Sequence, residues 1–282
     1  LLFPMFYTWN PFLQSRLRQV PSVIAVHDPR PHPGLQDRVF QYLEDRSLQQ
    51  ASRSLIFSQS LVPELVKRGM PASKIDVISL GVFNYSHAEE ENIFRTREGD
   101  QKPRTLLFFG RITAYKGLDV LLGAFKQLSK HLPVQLLIAG EGDLRPYRTL
   151  IESTTVIEVI NRWIEEEELP GIFQKADVVI LPYTSASQSG VIPIAASFGM
   201  PVIATKSGGI PEQIEDEHNG LLVESGSIDQ LAAGIKRLLA DASYAASLGQ
   251  NLRADYEQKH SWKQITGDVR SSLEKSLNLR ND

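Results

Sequence analysis

Two cations on one short run are the first residues whose types and spacing could do chemistry. Gly110-Arg111-Ile112-Thr113-Ala114-Tyr115-Lys116-Gly117 follows an apolar stretch and precedes a helical pattern, which puts Arg111 and Lys116 on a strand-to-helix loop. A planar guanidinium forms bidentate hydrogen bonds and an ammonium is a compact charge, a pair suited to a diphosphate. An ordinary solvated loop carries the same residue types, so the run alone leaves both readings open. Gly140-Glu141-Gly142-Asp143 follows a second apolar stretch, and its glycines suit either close approach of backbone to a ligand or a plain tight turn. A third run, Pro182-Tyr183-Thr184-Ser185-Ala186-Ser187-Gln188-Ser189-Gly190-Val191, leads into a helix expected to start near Gly190. Free N–H groups and a dipole end of roughly half a charge would cradle an anion there. Ordinary capping by Ser187 or Ser189 uses the same residues. Lys206-Ser207-Gly208-Gly209-Ile210-Pro211-Glu212 is a flexible glycine pair running into another helix. In the N-terminal third, Val26-His27-Asp28 places a His at the end of an apolar strand, where a structural and a reactive role are equally open.

The elements that must position these residues follow from period. Apolar runs at 22–27, 54–58 and 74–80 read as strands, with helical spacing at 36–50 and 62–68 between them. Residues 84–102 are polar and charge-rich, which marks a linker or an exposed edge and places a domain boundary there. Beyond it, strands at 105–109, 134–139, 176–181, 201–205 and 220–223 alternate with helices at 118–128, 145–152, 190–198 and 228–239. Helical patterning continues over 242–277 with a break at 260–262. Uniformly apolar strands between amphipathic helices describe a parallel sheet covered on both faces. In such sheets ligands bind beyond the carboxyl ends of the strands, where the loops above lie.

Composition narrows the function classes. Across 282 residues, 30 Lys and Arg against 33 Asp and Glu give a net charge of −3, which argues against a nucleic-acid partner. With no Cys there is no disulfide, thiolate nucleophile or Cys-based zinc site, and no metal-ligand cluster is expected. No apolar run reaches the length of a membrane helix. The start, Leu-Leu-Phe-Pro-Met-Phe-Tyr, lacks a basic region and an initiator Met, so no signal peptide is expected and the chain is expected to begin inside a longer one.

Taken in order, FFGRITAYKGLDVLLGAF, LLIAGEGD, ELPGIFQKADVVILPYTSASQSGVIPIAASFGMPVIATKSGGIPEQI and NGLLVESGS resemble the group 1 (family 4) glycosyltransferases of GT-B fold. The resemblance is dense over 105–255 and looser from residue 22. It implies an α/β, GT-B-type pair of Rossmann-like domains, the C-terminal one complete and the N-terminal one partial. The expected organisation is an acceptor-side domain over 1–95, a donor-binding domain over 96–257 and a helix at 258–282 returning to the first domain, with Trp262 as its packing anchor.

The activity implied is retaining, metal-independent transfer from a nucleotide-sugar to a saccharide or lipid-linked acceptor, with the nucleotide-sugar as substrate and no cofactor. By the resemblance, His27, Arg111 and Lys116 are catalytic. Gly110, Gly140, Gly142, Arg162, Ser187, Gln188, Ser189, Gly190 and Val191 bind the donor, its base near Asn161-Arg162-Trp163. A cytoplasmic place, with a peripheral membrane or a partner subunit as further contact, is implied in the same way. Two departures stand out. The glutamates the family carries before its Gly-x-Pro-Val turn fall here at Ala186 and Ile194, and no Asp or Glu occurs between Asp177 and Glu212. The N-terminal domain is also about half the family's usual length. These departures keep open a second class, a nucleotide-sugar-binding subunit that supports an active partner. A GT-B-fold epimerase would want carboxylate pairs in its cleft, and none is found.

Overall fold

A computed structural model describes residues 1–29, 38–81, 102–153 and 156–278. The chain divides into two compact units, one of Leu1–Gly81 with His260–Asp282 and one of Val82–Lys259. The boundary expected near residue 95 falls outside the described residues.

The first unit is built on four parallel strands, β1 (Leu2–Phe3), β2 (Val23–Val26), β3 (Arg53–Ile56) and β4 (Ile75–Val77), hydrogen-bonded in that order. Three helices connect them: α1 (Asn10–Arg16), α2 (Arg38–Gln50) and α3 (Val62–Lys67). Alternation sends Ile24, Val26 and Ile56 to one face, against Leu48 and Leu65 of the connecting helices. Val23, Ala25 and Leu55 go to the other face, where Val269 and Leu273 of the C-terminal helix cover them. That helix is fastened at Asp76 on the edge strand. Arg53 donates to both Asp76 carboxylate oxygens at 2.6 and 2.9 Å, while Ser272 Oγ and Lys275 Nζ donate from the helix at 2.6 and 3.1 Å.

Trp262 does not anchor this helix as the resemblance implies. It is 55% exposed, and Ile265, three residues further on, is the residue buried beneath. Standing at the helix's first position, Trp262 lies over the open surface of Gly81, where a Cβ would come within 3.1 Å of its ring. Helix α1 is also unusual, because its polar residues face inward. Asn10 and Gln14 are buried, with Gln14 Nε2 donating to the Ser22 hydroxyl and the Ser47 carbonyl, whereas Phe12 is 65% exposed. An apolar stripe turned outward gives no core signal, which is why α1 is not expected from the sequence.

The second unit holds β5 (Arg104–Phe109), α4 (Leu118–Leu128), β6 (Val134–Ala139), α5 (Arg148–Glu152), β7 (Ile157–Ile160), α6 (Leu169–Lys175), β8 (Val178–Leu181), α7 (Val191–Ser197), β9 (Val202–Thr205), α8 (Ile210–Gln213), β10 (Leu221–Val223), α9 (Ile228–Ala240) and α10 (Ala242–Lys259). The C-terminal helix of the first unit is α11 (Trp262–Asn278). All six strands are parallel, in the order β10-β9-β8-β5-β6-β7. Leu106, Phe108, Leu136 and Ile138 pack against α4 and α9 on one face. Leu107, Leu137, Val179 and Leu181 pack against α6 and α7 on the other. Each fully buried Leu or Phe contributes about 1.5–3 kcal/mol, so a sheet apolar on both faces commits this unit to a three-layer sandwich.

Two elements here escape the sequence pattern. β7 is an edge strand with Glu158 in its middle, so its apolar signal is short and interrupted. α6 opens on Leu169-Pro170-Gly171, which reads as loop punctuation although Pro fits a first helical turn.

Candidate functional site

Counted along the second unit, the strand order is 3-2-1-4-5-6, with the reversal between β5 and β8. The helices following these two strands depart to opposite faces of the sheet, which leaves a crevice at the strand ends where a ligand can enter. The loop after β5 holds Gly110, Arg111 and Lys116; the loop after β8 holds Ser187, Gln188, Ser189 and Gly190. The loops after β6 and β9 flank them.

These loops are locked to one another by close backbone approach. Gly110 N–H donates to the Ala139 carbonyl at 2.9 Å and Ile112 N–H to the Glu141 carbonyl at 2.7 Å. A Cβ on Gly140 would fall 2.1 Å from the Gly110 carbonyl oxygen, and one on Gly142 would fall 2.2 Å from that of Ile112. The glycines of Gly140-Glu141-Gly142 thus have a structural reason that is neither ligand approach nor a plain turn. They let two strand-end loops touch. Across the crevice, Thr184 N–H donates to the Tyr115 carbonyl at 2.7 Å, which ties the β8 loop to the β5 loop.

Between these loops lie the two cations. Arg111 is exposed and Lys116 half-buried, and neither side chain has a hydrogen bond or ion pair among the described residues. Lys116 Nζ rests over the Tyr183 ring, 5.1 Å from its centroid, and sits close enough to Gly110 that a Cβ there would be 2.8 Å away. Most other cations of this unit behave differently: Arg104, Arg145, Arg148, Arg237 and Arg253 all meet carboxylates. Two cations without a counter-ion among the described residues leave a local positive charge at the sheet switch point, which attracts anions.

In the β8 loop, Ser189 is closely satisfied. Ser189 Oγ accepts from Val191 N–H at 3.2 Å and stands 3.4 Å from Tyr183 Oη. Gly190 occupies the cap position of α7 with no side-chain cap of its own. Ser187 and Ser189 are buried. Gln188 Oε1 in this loop and Thr113 Oγ1 in the β5 loop are buried and have no hydrogen-bond partner among the described residues. An acceptor and a hydroxyl left so carry a free-energy cost unless something else bonds to them.

Ala186 is buried, and its carbonyl faces Gly208 of the β9 loop. Ile194, in the middle of α7, packs against the sheet's second core layer. The two positions that would hold glutamates are therefore apolar and structural. After β7, Arg162 forms a bidentate pair with Glu168 at 2.6 and 2.8 Å, which raises the guanidinium pKa and holds that of Glu168 at about 2. Its side chain is engaged with protein, so contacts there fall to the backbone and to the exposed Trp163 ring. Asn161 clasps Gly142 by two hydrogen bonds, and with Asp143, Arg145 and Arg148 it lines a cavity of about 380 Å³ beside the glycine loop.

His27 belongs to the first unit. It is exposed at the carboxyl end of β2, its Nε2 is 3.1 Å from the Pro4 carbonyl oxygen, and its ring lies 4.7 Å from that of Phe57. Sequence reasoning does not single out Tyr183, Thr113 or Gln213 as parts of the site. An aromatic directly after a strand end is the signal for Tyr183; Thr113 is marked only by the burial of its hydroxyl, and Gln213 by its hydrogen bonds to Ser189, which only the fold creates.

Residues 103–241 match the model of the glycosyl transferases group 1 family. An uncharacterized glycosyltransferase of Methanocaldococcus jannaschii is 29% identical over 237 residues, 80% of this chain and 61% of that protein. The sulfoquinovosyl transferase SQD2 of Arabidopsis thaliana is 25% identical over 231 residues, 78% of this chain and 44% of that one. The chain thus spans about half the length of these two relatives. Among solved structures, HepE of Anabaena in complex with UDP and glucose superposes with a TM-score of 0.79 at 20% identity, over 97% of this chain and 77% of that one. No helix among the described residues is long and apolar enough to cross a membrane.

Proposed function

Because the chain belongs, through residues 103–241, to the group 1 glycosyl transferases, with a GT-B-type fold of parallel α/β units, we propose that it takes part in transfer of a sugar from a nucleotide-sugar to a saccharide or lipid-linked acceptor. The observation that carries this is the couple Arg111 and Lys116 at the switch point between β5 and β8, whose side chains have no counter-ion among the described residues. The donor diphosphate lies against them. Its negative charge grows as the sugar–phosphate bond breaks, so fixed cations stabilise the transition state more than the ground state. Gly110, Gly140, Gly142, Ser187, Ser189, Gly190 and Val191 shape the pocket wall, with the base near Asn161 and Arg162. Gln188 Oε1, a buried acceptor with no partner among the described residues, takes a ribose hydroxyl in place of the absent glutamate. HepE, of like fold, binds UDP and glucose, which agrees in kind with this donor.

On the same reading His27 faces the reacting sugar, transfer proceeds with retention, and charge stabilisation comes from the protein's own cations and dipoles without a metal or cofactor. The protein works in the cytoplasm, with a membrane surface or partner subunit presenting the acceptor.

A thermal-shift series with UDP-, GDP- and ADP-sugars tests the donor site, since a ligand at a hundred times its Kd stabilises by about 2.7 kcal/mol. No shift with any of them overturns it. A second reading, a donor-binding subunit that does not itself transfer, is favoured by the apolar, structural setting of Ala186 and Ile194. Donor binding with neither hydrolysis nor transfer would select it.

A further inference from the structure

Gln213 lies at the end of α8, outside the β5 loop that carries the cations and outside the β8 loop, yet its side chain reaches the β8 loop. Ser189 N–H donates to Gln213 Oε1 at 2.8 Å, and Gln213 Nε2 donates to the Ser189 carbonyl at 3.0 Å. One carboxamide thus satisfies both backbone groups of one residue, as a neighbouring strand would. The same Nε2 donates to Tyr256 Oη at 3.2 Å. Tyr256 is buried on α10, and burial raises its phenol pKa, so the hydroxyl stays neutral and fixed. From Ser189 the contacts continue: its hydroxyl stands 3.4 Å from that of Tyr183, and the Tyr183 ring carries the Lys116 ammonium. A continuous series of contacts therefore runs from the core through Tyr256, Gln213, Ser189 and Tyr183 to Lys116.

We propose that Gln213 is a positioning residue of the donor site, which sets the place of the Lys116 ammonium through Ser189 and Tyr183. The inference rests on the reading that Lys116 meets the donor diphosphate. Gln213 carries no charge and contributes no attraction of its own to a diphosphate. Its effect is geometric. With both groups of Ser189 bonded, the loop has one arrangement, the Tyr183 ring has one tilt, and Lys116 rests where it must act without reordering on binding. A carboxylate at 213 would accept from Ser189 N–H but would face the Ser189 carbonyl with a second oxygen, so it keeps half of the clasp.

The experiment is a double-mutant cycle on nucleotide affinity, read by calorimetry with UDP, GDP and ADP in turn. Gln213→Leu keeps the volume and removes the clasp, and is expected to weaken binding about tenfold. Lys116→Ala is expected to weaken it at least as much, and the double variant no more than twofold beyond Lys116→Ala alone. Gln213→Glu should fall between wild type and Gln213→Leu, and it provides the measurement should the leucine variant not fold. Amide exchange at Ser189 should quicken in both Gln213 variants. Full additivity in the cycle, or unchanged affinity in folded Gln213 variants of a protein that binds nucleotide, overturns the inference alone. Failure of the wild type to bind any of the three overturns the donor-site reading, and the inference with it.

Discussion

The Asn161 carboxamide lies along the backbone of Gly142, accepting its N–H at 3.0 Å and donating to its carbonyl at 3.1 Å. Backbone pairing of β6 with β7 ends at Ala139 and Ile160, and the side chain supplies one further rung. Net contributions of such bonds are about 0.5–1.5 kcal/mol each. Asn161→Ala should therefore lower stability by about 1–2 kcal/mol in a urea titration, and Asn161→Asp by a similar amount, because an anion would then face the Gly142 carbonyl. Unchanged midpoints would show that the loop holds without this rung.

Lys116 gives the sharpest test of the charge assignment. Hydrogen bonds to charged groups contribute about 1.5–3 kcal/mol, so Lys116→Met should weaken nucleoside diphosphate binding by about tenfold or more while its stem still covers Tyr183. Arg111→Ala should do the same. Nucleoside binding without phosphate should be nearly unaffected in both, as measured by calorimetry. Equal losses for nucleoside and diphosphate would move the phosphates elsewhere.

His27 separates the two halves of the reaction. Its loss should cut transfer far more than donor affinity, with His27→Ala retaining the nucleotide titration of the wild type. An equal fall in both would mark the residue as structural.

Ile194 addresses the missing carboxylate. A 2′-deoxy donor should bind measurably worse than the ribo donor if Gln188 or the loop hydroxyls accept from the ribose. Ile194→Glu, in a folded variant, should tighten donor binding. Because Ile194 packs against the core, the exchange should also cost about 1–3 kcal/mol of stability. No gain in affinity with the fold intact would show that the glutamate belongs at a different position.

Asp76 sets an acid limit for the first unit. Burial pushes its carboxyl pKa up, but hydrogen bonds from Arg53, Ser272 and Lys275, together with the Arg53 charge, outweigh it and bring it from 3.8 to about 2. Being lower in the folded state than in the unfolded one, the group stabilises fully above about pH 4, and that stabilisation is lost as pH falls toward 2. Asp76→Ala should cost about 3 kcal/mol by leaving Arg53 unpaired. It should also flatten the dependence of Tm on pH between 4 and 2; an unchanged slope would count against the assignment.

The β5–α4–β6 stretch was legible because pattern and packing agree. Leu118–Leu128 and Val134–Ala139 have the bounds that their apolar period predicts. α1 was illegible for the opposite reason, since Asn10 and Gln14 are buried and Gln14 bonds to Ser22 and Ser47, partners that only the fold supplies. The same holds at the site. Arg111 and Lys116 stand out by type and spacing, whereas Gln213 is 24 residues from Ser189 and 43 from Tyr256, and neither spacing has a periodic signature. Trp262 shows the converse: a large aromatic at the right place in the order was expected to be buried, and the first position of a helix over Gly81 left it half in solvent.

The fastening of α11 to β4 also orders events in time. Asp76 and Ser272 are 196 residues apart, and the whole second unit is threaded between them. Contacts of such separation form late, because the chain loses loop entropy before they reward it. During synthesis the second unit can fold as soon as α10 has emerged, while the first sheet still shows Val23, Ala25 and Leu55 to water. Closure of that face waits for the final helix. The nascent protein therefore carries a finished second unit and an unfinished first one, and the interval between them is when a chaperone would find its apolar strand face.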